Sequence, residues 1–311
     1  MSPASSVTVR VPASTSNCGS GFDSLGLALR LHNRVTLTRS EDDAFTPARP
    51  EDERAHQMVA EAAQAFQTVA NTTRVGFMYR IDGDVPVARG LGSSVTILAG
   101  VAAGLNALAG AELTPHDMVG LVTALEGHPD NASAGILGGF CAARCDADTG
   151  RYVDAVRVAV PETIRFVVVS PVREIATKES RGALPARLPF FDAVKSVNSA
   201  VYLTAAFVTG DFDKLRGSVR DFFHEPYRLP NIPGARAAID AGIEAGALTG
   251  WLSGSGSSVL CVCPAAESAA AAAAMQAAFT AVDVCSDARI LLADNDGLQV
   301  ESVTAPLAAR R

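Results

Sequence analysis

The sequence predicts an α+β fold in two halves that share one cleft. Apolar residues alternate as in strands and then recur at helical spacing, without the regular βαβ repeat of a doubly wound sheet. No internal repeat is visible, and no proline- or serine-rich linker separates the halves. The chain has 311 residues, 48% of them hydrophobic, so it can build a sizeable core in one two-lobed unit. We place a first domain at residues 1–160 and a second at 161–311.

The first half is expected to begin with strands. Val7, Val9 and Val11 alternate with polar residues, as in a half-buried strand. Thr114 is expected to cap a helix that carries Pro115 in its first turn. The other elements predicted in this half are strands over 27–31, 35–37, 76–81 and 138–143 and helices over 51–70, 94–109 and 114–125.

The second half is expected to centre on a buried strand over 166–170, where β-branched residues run together. An alanine-rich stretch over 269–282 is too weakly apolar for a membrane span, which needs about 20 strongly apolar residues, so it predicts a helix packed on the surface. The other elements predicted here are helices over 193–209, 211–223 and 234–246, an apolar run over 259–262 that follows the sequence at 251–253, and a strand over 288–292.

Charge and composition argue against several classes of protein. The formal net charge is −7, and only three of the 26 basic residues are lysines, none beside another. A nucleic-acid partner is therefore not expected. The N-terminus lacks the charged start and apolar core of a secretory signal, and no membrane partner is expected. The six cysteines include no CxxC pair, which predicts free thiols in a cytoplasmic protein and not a zinc site.

The strongest chemical signal is the first glycine loop, PVARGLGSS over residues 86–94, which runs directly into a predicted helix. Glycines allow a ligand to approach the backbone closely, and a helix N-terminus favours an anion. Ser93 and Ser94 add hydroxyls that can cap the helix, bind phosphate or coordinate a cation. The chain contains no Gly-Lys pair and the loop lacks a third glycine, so it is neither a Walker loop nor a dinucleotide fingerprint. A simple helix cap has the same composition.

Three further polar segments contain ligand-type side chains. EGHPDN over 126–131 would place Glu126 beside a glycine loop, where Mg²⁺ takes one or two carboxylates and phosphate oxygens. A polar turn at Pro129 and Asp130 is an equal alternative. The opening segment STSNCGSGFD (14–23) and the second glycine loop SGSGSS (253–258) fit either a polar ligand or ordinary connections.

These motifs together resemble the GHMP kinases. That family has an N-terminal substrate segment, a P-x-x-x-G-L-G-S-S loop and a C-terminal glycine loop, all found here in order across nearly the whole chain. The chain is most similar to the homoserine kinase subfamily. The motifs that mark this subfamily are NxGxGFDxLGLAL at 17–29, HPDN at 128–131, TKExR at 177–181 and PYRxxxIPG at 226–234.

The resemblance implies an N-terminal domain like domain 2 of ribosomal protein S5 and a ferredoxin-like C-terminal domain. It also implies an ATP- and Mg²⁺-dependent kinase that phosphorylates the hydroxyl of L-homoserine to O-phospho-L-homoserine, a step of threonine biosynthesis. ATP would be bound by Pro86, Arg89, Gly90, Leu91, Gly92, Ser93, Ser94, Gly254 and Gly256. Magnesium would be bound by Ser94 and Glu126, which form the implied catalytic set with Asn131. The substrate would be bound by Asn17, Asp23, His128, Asn131, Thr177, Arg181 and Arg228.

The chemistry at Asn131 leaves alternatives open. Several relatives have a catalytic aspartate at this position, and an amide cannot accept the proton of an alcohol as a base. Asn131 would instead hold the hydroxyl in line with the γ-phosphate, while Asp23 and Asp130 stay open as bases. The alternative functions are a kinase for serine, threonine or another small amino-acid alcohol, and a non-catalytic metabolite sensor. A homodimer is one oligomeric state that the sequence leaves open.

Overall fold

Two β-sheets organise the chain, which is described here by a computed structural model of residues 4–172 and 177–304, without the side chains of 177–179. The predicted α+β class is confirmed. In chain order the strands are β1 (Ser6–Ser16), β2 (Leu25–Arg39), β3 (Phe45–Pro47), β4 (Phe77–Gly83), β5 (Phe140–Cys145), β6 (Tyr152–Val158), β7 (Ile164–Pro171), β8 (Thr249–Leu252), β9 (Val259–Pro264), β10 (Ser286–Leu291) and β11 (Gln299–Thr304).

Several of the helices pack on the two sheets. α2 and α4 pack on β1 and β2 of the first sheet, and α8 and α9 pack on the second sheet. In chain order the helices are α1 (His56–Ala70), α2 (Ser93–Ala109), α3 (Pro115–Glu126), α4 (Asp130–Leu137), α5 (Thr177–Gly182), α6 (Phe190–Thr209), α7 (Glu225–Arg228), α8 (Ala235–Glu244) and α9 (Ser268–Thr280).

The sheet topology divides the chain near the predicted domain boundary. The first sheet runs β11-β1-β2-β4-β3, and β5 pairs with β2 and with β6. The second sheet runs β10-β7-β9-β8 and is antiparallel throughout. The chain passes from the first sheet to the second between β6 and β7, but β11 returns to pair with β1. The boundary at 160/161 stays a prediction, and residues 299–304 lie with the first sheet.

Where two strands are predicted over 27–31 and 35–37, the structure has the single strand β2. Leu27, Leu29 and Leu31 lie in one apolar cluster and Val35 and Leu37 lie in another. The register with β1 shifts between the two runs, and Asn33 occupies the position between them. Its buried amide donates to Thr96 Oγ1 at 2.8 Å and accepts from the Val85 backbone N–H at 3.2 Å. Because both groups of this amide are satisfied, a buried polar residue stands between the two apolar runs without interrupting the strand.

The helix predicted over 211–223 is wrong. Only a short 3₁₀ turn forms, over Phe212–Leu215. The following residues form a turn and an irregular segment, to which α6 supplies hydrogen bonds: Ser199 Oγ accepts from the Arg220 N–H at 3.2 Å, and Ser196 Oγ accepts from the Phe222 N–H at 2.8 Å. Hydrogen bonds to another element therefore replace the ones that a helix would make internally.

Some elements were not predicted from the sequence, and the boundaries of others differ. α4 begins at Asp130, inside the segment for which a polar turn was an alternative. The helix predicted over 51–70 begins as a 3₁₀ turn, Pro50–Ala55, before α1. Short or exposed strands such as β6 and β11 carry little alternation to detect, since none of their residues is buried. The Thr114 cap is as predicted, with a capping box to Asp117 and Pro115 in the first turn.

One apolar cluster joins the two halves. It contains Leu27 and Phe140 from the first sheet and Phe166 and Trp251 from the second. The ring of Phe207, from α6, stacks on Phe140 with centroids 4.2 Å apart. The halves therefore share a core, which holds the loops at their junction in a fixed relation. Within the described residues, no helix has the length and apolarity needed to cross a membrane.

Candidate active site

A cleft of about 420 Å³ lies between the two glycine loops and the opening segment. Most of the predicted site residues line it. They are Asn17, Asp23, Arg89, Gly90, Gly92, Ser93, Ser94, Glu126, His128, Asn131, Arg181, Arg228 and Gly254. Residues that are far apart in the sequence thus meet in one cavity, whose lining also includes the apolar residues Ala55, Met58, Ile81, Val85 and Ile97.

The first glycine loop delivers the N-terminus of α2 to the cleft. Gly92 precedes the helix in the left-handed region, at φ 67°, and offers no capping side chain. The N–H groups of the first turn therefore have no side-chain acceptor at the cap position, and Ser93 and Ser94 lie beside them in the cleft. Such a helix start attracts an anionic ligand.

The two glycine loops are joined directly by hydrogen bonds. Ser253 Oγ donates to the Gly90 carbonyl at 2.7 Å, and the Ser258 N–H donates to the Arg89 carbonyl at 3.2 Å. A Cβ on Gly90 would lie 2.1 Å from the Ser253 carbonyl oxygen, so only glycine permits this approach. The loops form one platform made from both halves of the chain.

Ser94 and Glu126, the two predicted metal ligands, are neighbours. The Ser94 side chain lies beside the Glu126 carboxyl, which is at the C-terminal end of α3. Burial raises the pKa of Glu126 above its ordinary value, and the neighbouring Ser94 hydroxyl offsets part of that rise. A hydroxyl and a partly buried carboxylate at the start of α2 are hard oxygen ligands of the kind that Mg²⁺ takes.

His128 and Asp130 form a buried pair at the start of α4. His128 Nδ1 donates to Asp130 Oδ1 at 2.7 Å, and the same oxygen accepts from the Asn131 backbone N–H at 2.7 Å. Burial lowers the pKa of His128, but the hydrogen bond and charge of Asp130 and the charge of Asp23 outweigh burial, so the pKa is raised. Asp23, His128 and Asp130 lie close enough to one another to form a cation-binding cluster. In this structure, however, Asp130 accepts hydrogen bonds from His128 and Asn131.

The side-chain amide of Asn131 is held by two serines of β1. Its Oδ1 accepts from Ser14 Oγ at 2.9 Å, and its Nδ2 donates to Ser16 Oγ at 3.0 Å. One N–H and one lone pair remain for a ligand. Because both serines project from a strand in the core of the first sheet, the amide has a defined orientation toward the cleft.

Two arginines and one aspartate surround the ring of Phe22. Arg181 makes a bidentate ion pair with Asp23, at 2.6 and 3.1 Å. The guanidinium carbons of Arg181 and Arg228 lie 5.5 and 5.4 Å from the Phe22 ring centroid. Phe22 thus spaces two cations on one side of the cleft.

Arg228 is buried, and in the described part of the chain no carboxylate lies within ion-pair distance of it. Its guanidinium donates to the carbonyls of Ser180 and Gly254 at 3.4 and 3.3 Å and contacts His224 Nδ1 at 3.3 Å. Burial, and next the charge of Arg181, lower its pKa to about 10. It therefore stays charged at neutral pH, next to another cation, which favours an anionic ligand.

Asn17 and the remaining predicted residues have other surroundings. The Asn17 amide accepts from the Asp23 N–H at 3.0 Å and donates to the Gly254 carbonyl at 3.2 Å, so it ties the opening segment to the second glycine loop. Leu91 is in the core, and Pro86 and Gly256 are not among the residues that line the cleft. The Thr177 side chain lies outside the described residues.

The sequence does not single out several residues of the cleft. Ser16, Phe22 and Ser255 lie inside the quoted motifs, but the sequence predicts no role for them. Asp130 is predicted only as a possible base. Ser14, which orients Asn131, also lies in the opening segment. No sequence motif marks the apolar residues that line the cleft, because α1, β4 and α2 each contribute ordinary core residues.

We expect Gly92→Ala to abolish most ligand binding at the loop, while Gly110→Ala does not. Both glycines have a left-handed φ, 67° and 65°, so each substitution should destabilise the fold by about 1 kcal/mol. Only at Gly92 would the new Cβ lie 2.3 Å from Ser14 Oγ; at Gly110 no atom lies within 4 Å. Thermal unfolding and ATP binding by calorimetry check this, and equal ATP affinity in the two variants would contradict it.

Comparison with known protein families matches both halves of the chain. The model for the N-terminal domain of GHMP kinases matches residues 57–139, and the model for their C-terminal domain matches residues 203–281. The first of these ranges contains the first glycine loop and the EGHPDN segment, and the second contains the second glycine loop.

Individual relatives match over most of their length. The homoserine kinase of Moorella thermoacetica is 39% identical over 264 residues, 82% of this chain and 86% of its own. That of Microchaete diplosiphon is 36% identical over 307 residues, 96% of this chain and 98% of its own. A crystal structure of homoserine kinase from Cytophaga hutchinsonii superposes with a TM-score of 0.86 at 26% identity, covering 95% of this chain and 97% of that one.

Proposed function

The chain belongs to the GHMP kinase family and has its two-domain fold, and from this premise we propose that it is a homoserine kinase. It transfers the γ-phosphoryl group of ATP to the hydroxyl of L-homoserine and forms O-phospho-L-homoserine, a step of threonine biosynthesis. The proposal draws on relatives that carry this name over more than nine-tenths of this chain. We also propose domains at 1–160 and 161–311.

The observation that carries the proposal is the position of Arg228. A buried guanidinium without a carboxylate partner faces the same cleft as a helix N-terminus suited to phosphate. An amino-acid alcohol supplies a carboxylate for the first and a hydroxyl that can reach a phosphate at the second. Asp23, although paired with Arg181 here, offers an acceptor for the substrate ammonium.

ATP is proposed to lie along the first glycine loop. Its phosphates would accept hydrogen bonds from the N–H groups at the start of α2 and from Ser93 and Ser94. Its adenine would lie against the apolar part of the lining, near Met58 and Ile97. This arrangement directs the γ-phosphate toward the region between Glu126 and Asn131.

Ser94 and Glu126 are proposed to hold Mg²⁺. The fit rests on their donor chemistry, a hydroxyl in contact with a partly buried carboxylate whose burial disfavours an isolated charge. When bound, the cation would offset negative charge on the phosphates. These same residues disfavour the sensor alternative, which has no need of a metal site.

Asn131 is proposed to orient the attacking hydroxyl. Its side chain is fixed by Ser14 and Ser16 and keeps one donor and one acceptor free. Phosphoryl transfer passes through a loose transition state, so alignment and charge stabilisation supply most of the rate. The proton of the hydroxyl can leave late, to phosphate or water, without a side-chain base at this position.

If Asn131 orients and does not ionise, Asn131→Ala should lower kcat by about tenfold to a hundredfold through lost alignment. The pH–rate profile should keep its shape and fall in height, because no titrating group is removed. Ser14→Ala, which removes one of the two hydroxyls that hold the amide, should give a smaller loss of the same kind. Disappearance of an ionisation from the Asn131→Ala profile would show that the position takes part in proton transfer.

The test of the proposed function is ADP release with a panel of acceptors. Homoserine should give the highest kcat/KM, above serine, threonine and mevalonate. Preference for serine or threonine would identify a kinase for another amino-acid alcohol. ATP binding without turnover of any acceptor would support the sensor alternative.

The proposed setting is the cytoplasm. All six cysteines are free thiols, and four of them are buried. Cys18 and Cys141 lie near each other but are not joined by a disulfide. Free thiols are the usual state in a reducing compartment.

A further inference from the structure

His224 is a fully buried histidine that lies one helical turn before Arg228. Its ring lies against the ring of Phe22, with centroids 5.5 Å apart. Each ring nitrogen has a polar neighbour: Nε2 lies 2.8 Å from the Gly19 carbonyl oxygen, and Nδ1 lies 3.3 Å from Nη1 of Arg228. The ring therefore stands between the opening segment and the arginine whose proposed ligand is the substrate carboxylate.

The two contacts of the His224 ring determine which nitrogen carries the proton. A guanidinium can only donate, so Nδ1 accepts from Arg228. The proton then lies on Nε2, which donates to the Gly19 carbonyl. The Asp221 carboxylate is 3.6 Å from Nε2, and its oxygens already accept from the backbone N–H groups of residues 223–225. One neutral tautomer of His224 thus satisfies both ring contacts.

The segment that carries His224 and Arg228 is anchored to the second half of the chain. Oε1 of the adjacent Glu225 accepts from the Leu252 N–H at 2.8 Å, and Oε2 accepts from Arg236 at 3.1 Å. Leu252 directly precedes the second glycine loop. Because Glu225 fixes the backbone on one side and the Gly19 carbonyl holds the ring on the other, His224 has a defined position beside Arg228.

A neutral acceptor orients a guanidinium without cancelling its charge. Arg181 differs in this respect, because the carboxylate of Asp23 neutralises it. In Arg228, Nε and Nη1 donate to two backbone carbonyls and to His224, and among the described residues no acceptor is bonded to Nη2. Arg228 is thus oriented by uncharged groups, and its positive charge and the N–H groups of Nη2 stay available to an anionic ligand.

We propose that His224 is a positioning residue for substrate recognition, whose Nδ1 lone pair holds the guanidinium of Arg228 in the orientation that receives the substrate carboxylate. The assignment rests on the proposed function, because homoserine supplies that carboxylate. His224 acts through Arg228 and does not contact the reacting atoms. Its loss should therefore weaken recognition of the carboxylate and leave the phosphoryl transfer nearly unchanged.

Two substitutions separate the two ring contacts. The side-chain oxygen of His224→Asn can replace Nδ1 and accept from Arg228, whereas the side-chain nitrogen of His224→Gln can replace Nε2 and donate to the Gly19 carbonyl. The measurement is kcat and KM with homoserine and with 3-amino-1-propanol, which is homoserine without its carboxylate. His224→Gln should raise the KM for homoserine about tenfold, with kcat within about twofold of the wild type, and lower the preference for homoserine about tenfold. His224→Asn should retain most of that preference.

A double substitution shows whether His224 acts through Arg228. In the Arg228→Ala background, His224→Gln should change kcat/KM for homoserine by less than about twofold, because the side chain that it positions is already absent. His32→Gln is the matched control, since His32 also contacts an arginine, Arg10, at 3.0 Å but does not line the cleft. It should leave the preference unchanged. Thermal unfolding reports the stability of each variant separately from its kinetics.

Nitrogen NMR of the histidine rings tests the proposal on the wild type without any substitution. At neutral pH the His224 ring should carry its proton on Nε2 and have a free lone pair on Nδ1. A ring protonated on Nδ1 would overturn the proposal, because it has no lone pair for Arg228.

The kinetic outcomes separate this proposal from the proposed function. Absence of homoserine phosphorylation by the wild type would overturn both. An active wild type whose preference for homoserine survives His224→Gln would overturn the role of His224 alone. Equal losses in His224→Asn and His224→Gln would do the same, and so would a loss of equal size with and without Arg228, because each indicates a histidine that only supports the fold.

Discussion

Glu126→Gln is expected to lower kcat by about 10²- to 10³-fold, because it removes the charged oxygen ligand proposed for Mg²⁺ while keeping the shape of the side chain. Glu126 lies at the end of α3 in contact with Ser94, which begins the helix proposed to bind phosphate. The loss should be greatest at low magnesium and partly recovered at high magnesium. The measurement is initial rate against magnesium concentration at saturating ATP and homoserine.

Two variants and one binding assay make this test specific. Ser94→Ala should cost only about tenfold, since a neutral hydroxyl ligand contributes less than a carboxylate. Glu112→Gln, at an exposed glutamate, should behave as the wild type. Binding of Mn²⁺ in the presence of a non-hydrolysable ATP analogue reports the site without turnover, and should weaken in Glu126→Gln. Near-normal rates for that variant at low magnesium would remove Glu126 from the metal site.

Much of the lining of the cleft could be predicted from the sequence because ligand-type side chains are concentrated in short motifs. Glycines that permit close approach and hydroxyls at a helix start lie together over 86–94, and carboxylates lie together over 126–131. The elements with strong periodicity, such as α2 and β7, were likewise predictable, because a buried face leaves a regular pattern in the sequence.

What the sequence could not supply are interactions between distant segments. The helix predicted over 211–223 failed because Ser196 and Ser199 satisfy the backbone of that segment from another helix. The orientation of Asn131 depends on Ser14 and Ser16, more than 100 residues earlier. The continuity of β2 depends on Thr96 and Val85, which satisfy Asn33. In each case the local pattern is ambiguous and a long-range hydrogen bond decides the outcome.

Arg228→Ala is expected to remove the preference of the enzyme for a substrate with a carboxylate. The comparison is between homoserine and 3-amino-1-propanol, which keeps the amine and the hydroxyl but has no carboxylate. The wild type should favour homoserine by at least about 10³-fold in kcat/KM, since its buried cation would be left unpaired with the analogue. The variant should lose about 10²-fold on homoserine and much less on the analogue, so the ratio falls.

Arg228→Lys and Arg144→Ala are the controls for this experiment. Lysine keeps the positive charge but not the planar fork that meets a carboxylate with two parallel hydrogen bonds, so it should retain part of the ratio. Arg144 is exposed on β5, and its removal should change nothing. Because Arg228 also donates to the carbonyls of Ser180 and Gly254, thermal unfolding must show that the variant remains folded at the assay temperature.

The ratio of kcat/KM for the two substrates distinguishes a loss of carboxylate recognition from general damage to the site. Loss of the contacts to Ser180 and Gly254 would move loops that both substrates use, and would lower both rates together. Loss of the side chain that binds the substrate carboxylate lowers mainly the rate with homoserine. Arg181 is expected to matter less than Arg228, because Asp23 already neutralises it. If the wild type phosphorylates both compounds with similar efficiency, or if Arg228→Ala leaves the ratio unchanged, Arg228 does not bind the carboxylate.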